Sequence, residues 1–262
     1  MEIGLDGKTA YAYSAQRPFR GALPSVLFIH GAGSDHSVWN LQSRYFAYHD
    51  WNALAVDLPG HGRSQGPALS RVEDMAAWII ALLDELKIDR AALVGHSMGS
   101  LIALECASAF ADRVEKIALI ATACPMPVSK PLLDSSAAND HAAFNMINIW
   151  GHSAAAQIGG NTIPGIWMAG ANLRLLERSL SGVLHSDLRA CNSYARGLSA
   201  AQQVKCPTLL MLGERDLMTP PKAASQFAAH INGARTMVLE GAGHALMAEQ
   251  PARVLDGLID FL

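Results

Sequence analysis

Charge is what this 262-residue sequence has least of. Only 16% of its residues are Asp, Glu, Lys or Arg, and they nearly cancel to a net charge of -3. No block of like charge occurs, and there is no basic field of the kind that nucleic-acid binders use. Aromatic residues are also scarce, at 6%. The four cysteines, Cys106, Cys124, Cys191 and Cys206, lack the short regular spacings of a metal site, so they read as reduced thiols rather than ligands or a disulfide framework. Gly, Pro or a charge interrupts each apolar stretch before it reaches the ~20 residues of a membrane span. The opening MEIGLDGKTAYAY has no basic start followed by an apolar run, and does not read as a secretory signal. A cytoplasmic protein acting on a small molecule, with neither nucleic acid nor membrane as partner, is the expectation.

What the chain does contain is apolar surface, at 50% hydrophobic residues, enough for one sizeable core. The segment around Asp6-Gly7 alternates and predicts an antiparallel hairpin. Ser25 to His30, Ala53 to Leu58, Ala91 to Gly95, Val114 to Ala121, Thr208 to Gly213 and Thr236 to Glu240 are short continuous apolar runs, the pattern of strands buried on both faces. Helical periodicity falls between them: Val72, Ala76, Ile79, Ile80, Leu83 and Leu86; Met98 to Phe110; Ala223 to His230; and Val254, Leu255, Leu258 and Phe261. Strands and helices that alternate predict an α/β fold with a mostly parallel sheet flanked by helices. The rhythm stops at Pro125 and Pro127. From there to about Ala200 the sequence is Ala-, Leu- and Met-rich, punctuated by Gly159-Gly160 and Pro164-Gly165. Residues 125–200 therefore read as an inserted helical cap, and 1–124 with 201–262 as the core.

Gly95-His96-Ser97-Met98-Gly99 fits G-x-S-x-G. Five residues alone are weak support, but these follow a buried strand and open a helix, the context in which a strained turn presents a serine hydroxyl. That hydroxyl needs a base. Of the ten histidines, His244 stands in Gly241-Ala242-Gly243-His244, directly after the last strand run, where loops at the carboxyl ends of strands gather catalytic groups. The base needs an orienting acid. Asp216 follows the preceding strand, with Glu214 as its nearby rival and a solvated turn as that rival's ordinary role. An oxyanion needs N–H donors, for which the backbones of Met98 and Ala32 are the candidates. His30 reads as a residue shaping the Ala32 loop. Chemistry of this kind requires no metal and no organic cofactor.

Trp39, Met146, Trp150, His152, Trp167 and Met168 are candidates for lining a substrate pocket, although each such residue is more often ordinary core or cap packing than a substrate contact. Together they suggest an apolar pocket suited to a small or aromatic ester. No clear cluster of Arg or Lys marks a carboxylate clamp, although Arg174, Arg178, Arg189 and Arg196 in the cap could supply one, and His61 and Arg63 read as supports of their own turn.

His30-Gly31 after the first parallel strand, Asp57-Leu58-Pro59-Gly60-His61-Gly62-Arg63-Ser64, the Gly95–Gly99 elbow, Asp216 in Gly213-Glu214-Arg215-Asp216 and His244 in its Gly-rich loop fall in the order of the α/β-hydrolase superfamily, which the chain resembles over essentially its whole length. The resemblance implies a Ser–Asp–His triad and a cap after the fourth parallel strand. It points towards small carboxylesterases, enol-lactonases and carbon–carbon bond hydrolases. Ser97 departs from the elbow Asp of haloalkane dehalogenases and epoxide hydrolases. His30-Gly31-Ala32-Gly33-Ser34 departs from the His-Gly-Gly-Pro-Gly loop frequent in proline iminopeptidases. A non-catalytic small-molecule receptor on the same fold is the reading from another class, and the intact Ser97, Asp216 and His244 argue against it.

Overall fold

A computed structural model describes residues 1–262 except 161, 163, 164 and 166. The chain runs β1 (Glu2–Leu5), β2 (Lys8–Tyr13), β3 (Ser25–Ile29), α1 (Asn40–Ala47), β4 (Asn52–Asp57), α2 (Val72–Glu85), β5 (Ala91–His96), α3 (Met98–Ala109) and β6 (Val114–Ile120). Then follow α4 (Lys130–Ala137), α5 (His141–Trp150), α6 (Ala154–Gln157), α7 (Met168–Glu177), α8 (Val183–Ser193) and α9 (Gly197–Gln203). It closes with β7 (Thr208–Gly213), α10 (Pro221–Ala228), β8 (Arg235–Leu239), α11 (Leu246–Glu249) and α12 (Pro251–Phe261). The strands form one sheet in the order β1-β2-β4-β3-β5-β6-β7-β8. β1 and β2 are the expected hairpin, β2 joins β4 antiparallel, and every later pairing is parallel.

The unbroken apolar runs have a simple cause. Successive side chains of a strand leave on opposite faces, and both faces of this sheet are covered. In β3, Leu27 and Ile29 enter the core shared with α2, α3 and α10. Val26 and Phe28 enter the other, shared with α1 and α12. Each such buried side chain contributes about 1.5–3 kcal/mol of hydrophobic stabilisation. α3 follows the same logic carried further: Met98 through Ala107 are all buried, so the helix is enclosed on every side and cannot shift without repacking. α2 is amphipathic, with Glu73 and Asp74 in its first turn, where the helix dipole favours negative charge.

The strands and helices expected from periodicity are present, with ends that coincide or are displaced by up to three residues. β6 stops at Ile120 because Ala121 turns to φ +50°, outside strand geometry. α1 has no clear signal in the sequence: its mixed surface (NLQSRYFA) buries Gln42, Ser43, Phe46 and Ala47, too irregular a stripe to stand out. Between β6 and β7 the described residues hold α4 to α9 and no strand. Pro164, half of the expected Pro-Gly break there, lies outside the described residues. Among the described residues no helix is long and apolar enough to cross a membrane.

Candidate active site

β5 delivers the chain straight into Ser97. This residue adopts φ 52° and ψ -116°, a left-handed-side conformation rare for a residue bearing a side chain. The surrounding structure enforces it. The Ser97 N–H donates to the Ile120 carbonyl at 2.9 Å, and α3 begins at the next residue. The two flanking glycines have steric reasons. A Cβ on Gly95 would collide with the Gly99 carbonyl, and one on Gly99 with the Ile29 carbonyl of β3.

Asp216 leaves the end of β7 and His244 follows β8, so the parallel order of the sheet brings both loops to the rim where Ser97 stands. His244 Nδ1 and Asp216 Oδ2 are 2.8 Å apart, with both residues buried. Oδ2 also accepts the Thr219 hydroxyl at 2.6 Å, and Oδ1 accepts the Met218 and Thr219 N–H groups, each at 2.8 Å. Burial opposes ionisation of Asp216, but His244 and these donors outweigh it and hold the carboxyl well below the usual range. With the carboxylate as acceptor, Nδ1 is the protonated nitrogen and Nε2 is left as the basic one. Nε2 is buried and has no hydrogen-bond partner among the described residues. Nucleophile–base hydrogen bonds are often long before substrate binds and tighten in the complex. Glu214, the rival acid, is exposed and accepts the Gly241 N–H at 2.9 Å, a turn contact away from the imidazole.

Ser97, His244 and Ala32 open onto one cavity of about 270 Å³. No acceptor among the described residues takes the backbone N–H of Ala32 or of Met98. His30 does shape their loop: its Nδ1–H donates to the Gly31 carbonyl at 2.9 Å, and its Nε2 accepts the Leu58 N–H at 3.2 Å.

The structure places the six lining candidates differently from one another. Trp150 and His152 line the cavity. Trp39 does not: it is fully buried in the core below, packed on Phe28 at 5.4 Å between ring centroids. Met146 belongs to the packing of α5 against Leu132, Leu184 and Leu188 rather than to the lining. Trp167 is 72% exposed and covers Gly170, while Met168 is buried away from the cavity at the start of α7. The four arginines also lie elsewhere. Arg174 pairs with Glu177, Arg178 with Asp35 and Arg196 with Glu105, and Arg189 is exposed. The walls are instead Met126, Leu132, Ile147, Leu176, Leu188 and Leu217, and no Lys, Arg, Asp or Glu stands among the described lining residues.

Several residues that matter for the geometry escaped the sequence reading. Thr219 is one: its N–H and hydroxyl complete the turn that Asp216 opens by accepting the Met218 N–H two residues on. Glu249 is buried; Oε1 accepts the Gly243 N–H at 3.0 Å and Oε2 the Ser153 N–H at 3.3 Å, so one carboxylate ties the His244 loop to the start of α6. Asp35, His36 and Asp57 bring possible ligand atoms within 4.8 Å of one another. Those atoms are already engaged: Asp57 accepts from His36 and the Arg63 N–H, and Asp35 from Ser37 and Arg178.

Known proteins share this architecture. The sequence profile described as "Alpha/beta hydrolase family" matches residues 26–256. A pimeloyl-[acyl-carrier protein] methyl ester esterase of Neisseria meningitidis is 28% identical over 240 residues, covering 86% of this chain and 88% of that protein. An (E)-2-((N-methylformamido)methylene)succinate hydrolase of Acinetobacter baylyi is 24% identical over 236 residues, covering 87% and 86%. The crystal structure of an enol-lactonase from Burkholderia xenovorans superimposes with a TM-score of 0.88 at 24% identity, covering 100% of this chain and 99% of the other. With a profile match spanning six of the eight strands, β3 to β8, and the loops at their rim, the chain belongs to the alpha/beta hydrolase family.

Proposed function

We propose that this protein is a serine hydrolase that cleaves a small, uncharged, predominantly apolar or aromatic carboxylic ester through an acyl-enzyme. The observation that carries the reading is the buried 2.8 Å His244–Asp216 contact, with His244 lining the same cavity as a strained Ser97. Ser97 Oγ attacks the ester carbonyl while His244 Nε2 takes its proton. The oxyanion accepts the Ala32 and Met98 N–H groups, and the adjacent His244 imidazolium is stabilised by Asp216. His244 then gives its proton to the leaving alcohol. Water, deprotonated by the same nitrogen, releases the acid and restores Ser97.

The helices of residues 125–200 act in this reading as a cap. Leu132, Ile147, Trp150, Leu176 and Leu188 of that segment form much of the cavity wall. A largely apolar wall with no Lys, Arg, Asp or Glu among its described residues imposes a desolvation cost on a charged acyl group, which favours neutral substrates. Opening of a lactone or cleavage of a carbon–carbon bond would use the same three residues.

The test is a fluorophosphonate probe together with a panel of p-nitrophenyl esters, an enol-lactone and a vinylogous diketone. Ser97 is expected to be labelled, the short neutral esters to turn over, and Ser97→Ala to lose several orders of magnitude in kcat. A chain unlabelled at Ser97 would return the receptor reading, and preferential turnover of the diketone or the lactone would replace the ester.

A further inference from the structure

The helical segment sends one carboxylate deep into the core beside the loop that carries Ala32. Asp187, on α8, has no exposed surface. Its Oδ2 accepts two hydrogen bonds, from the Gly33 N–H at 2.8 Å and from His61 Nε2–H at 2.8 Å. Oδ1 has no partner among the described residues. Gly33 is the residue after Ala32, so the Asp187 contact is one peptide unit from the proposed oxyanion donor.

His61 faces an acceptor at each ring nitrogen: the Asp187 carboxylate at Nε2, and the Pro59 carbonyl at Nδ1 at 3.0 Å. Both nitrogens must then donate, which is the arrangement of an imidazolium. Burial opposes that charge, but Asp187 outweighs it and raises the affinity of His61 for its proton. The neighbouring His30 ring lies 4.8 Å away. Burial first, and then the His61 charge, push His30 down to about 4, so it remains neutral while it holds the Gly31 carbonyl. α8 is also fitted closely to the loop. Gly33 has φ +65°, and a Cβ there would lie 3.0 Å from Leu184 Cδ1.

We propose that Asp187 is a positioning residue of the hydrolytic reaction: held by His61, it fixes the Gly33 N–H and thereby aims the Ala32 N–H at the developing oxyanion. This rests on the acyl-enzyme reading given above. The pairing with His61 has a second effect. A bare carboxylate this close to the donor loop would oppose negative charge building up on the substrate oxygen, and His61 cancels it. Charge-assisted contacts of this kind are short and directional, and a misplacement of about 1 Å in a catalytic group can cost on the order of 100-fold in rate. The docking of α8 and the stabilisation of the tetrahedral intermediate are therefore one event.

The experiment measures kcat and KM for p-nitrophenyl acetate with Asp187→Asn, His61→Gln and the double variant, each checked for native circular dichroism. Each single variant is expected to lose about ten-fold or more in kcat with KM within two-fold. The double variant should lose no more than the worse single, because both act through one contact. A natively folded Asp187→Asn or His61→Gln that keeps kcat within two-fold overturns the proposal. So does a loss carried by KM, or a double variant whose losses multiply. Failure of the underlying reading looks different: Ser97→Ala would retain turnover, whatever the Asp187 variants do.

Discussion

His96 Nε2 donates to the backbone carbonyl of His244 at 2.9 Å, so the residue before the proposed nucleophile holds the loop that carries the proposed base. The two rings lie 4.9 Å apart. Burial, and then the proximity of His244, push His96 down to about 3, which keeps it a neutral donor at any working pH. His96→Ala is expected to lower ester kcat about ten-fold, roughly the 1.4 kcal/mol of one misplaced contact. His96→Gln, which retains a side-chain N–H donor, should lose less. Unchanged turnover in the alanine variant would remove this role from His96.

The two acids separate cleanly by geometry. Asp216→Asn should cost on the order of 10³–10⁴ in kcat, because the imidazole loses the partner that fixes its tautomer. Glu214→Gln should stay within about three-fold. A larger loss at Glu214 than at Asp216 would transfer the orienting role to it.

Acid should destabilise the protein at two histidines. His30 and His96 are held near 4 and 3 in the folded chain, against an ordinary value of 6.5. Below about pH 6.5 the unfolded chain takes up protons that the folded chain refuses, so stability falls as pH falls towards 4. Asp216 adds to the loss once pH drops into the ordinary carboxylate range. Melting temperatures measured from pH 7 to pH 4 should fall, and His96→Gln should flatten the slope. An equal slope in that variant would show that His96 is not involved.

Gly99 permits the close crossing of α3 over β3. Gly99→Ala drives a Cβ into the Ile29 and His30 carbonyls and should cost about 3 kcal/mol or more, a fall of roughly 6 °C or more in Tm. Gly4→Ala, where nothing lies within 4 Å of the added carbon, is the control and should change stability by less than ~0.5 kcal/mol. Matching melting curves for the two variants would refute the steric account.

Legibility in the sequence followed the range of the forces involved. Leu27, Phe28 and Ile29 announce a strand because both faces of their sheet are covered, and that demand is written in consecutive residues. That Ser97, Asp216 and His244 come to one rim of the sheet was legible because each sits in a short turn whose glycines and acids are local. Lining residues were not. Trp39 and Trp167 look alike in sequence, yet one is sealed beneath the sheet and the other is 72% exposed, since the difference depends on how the helices pack. The Asp187–Gly33 contact spans 154 positions, and no local pattern encodes it. Sequence periodicity marks a helix's apolar stripe but not which neighbour that stripe meets.

The parallel pairing of β6 with β7, Ile117 opposite Thr208 through Ile120 opposite Met211, has a consequence for how activity arises during synthesis. Ser97 lies before residues 121–207, and Asp216 and His244 lie after them. The cost of closing so long an excursion grows only with the logarithm of its length, so the fold tolerates it. Until β7 has paired with β6 and β8 with β7, however, the nascent chain holds Ser97 without the proposed acid and base. On the proposed mechanism, Ser97, Asp216 and His244 therefore come together only when β7 and β8 have joined β6 in register, and labelling of Ser97 would report that pairing.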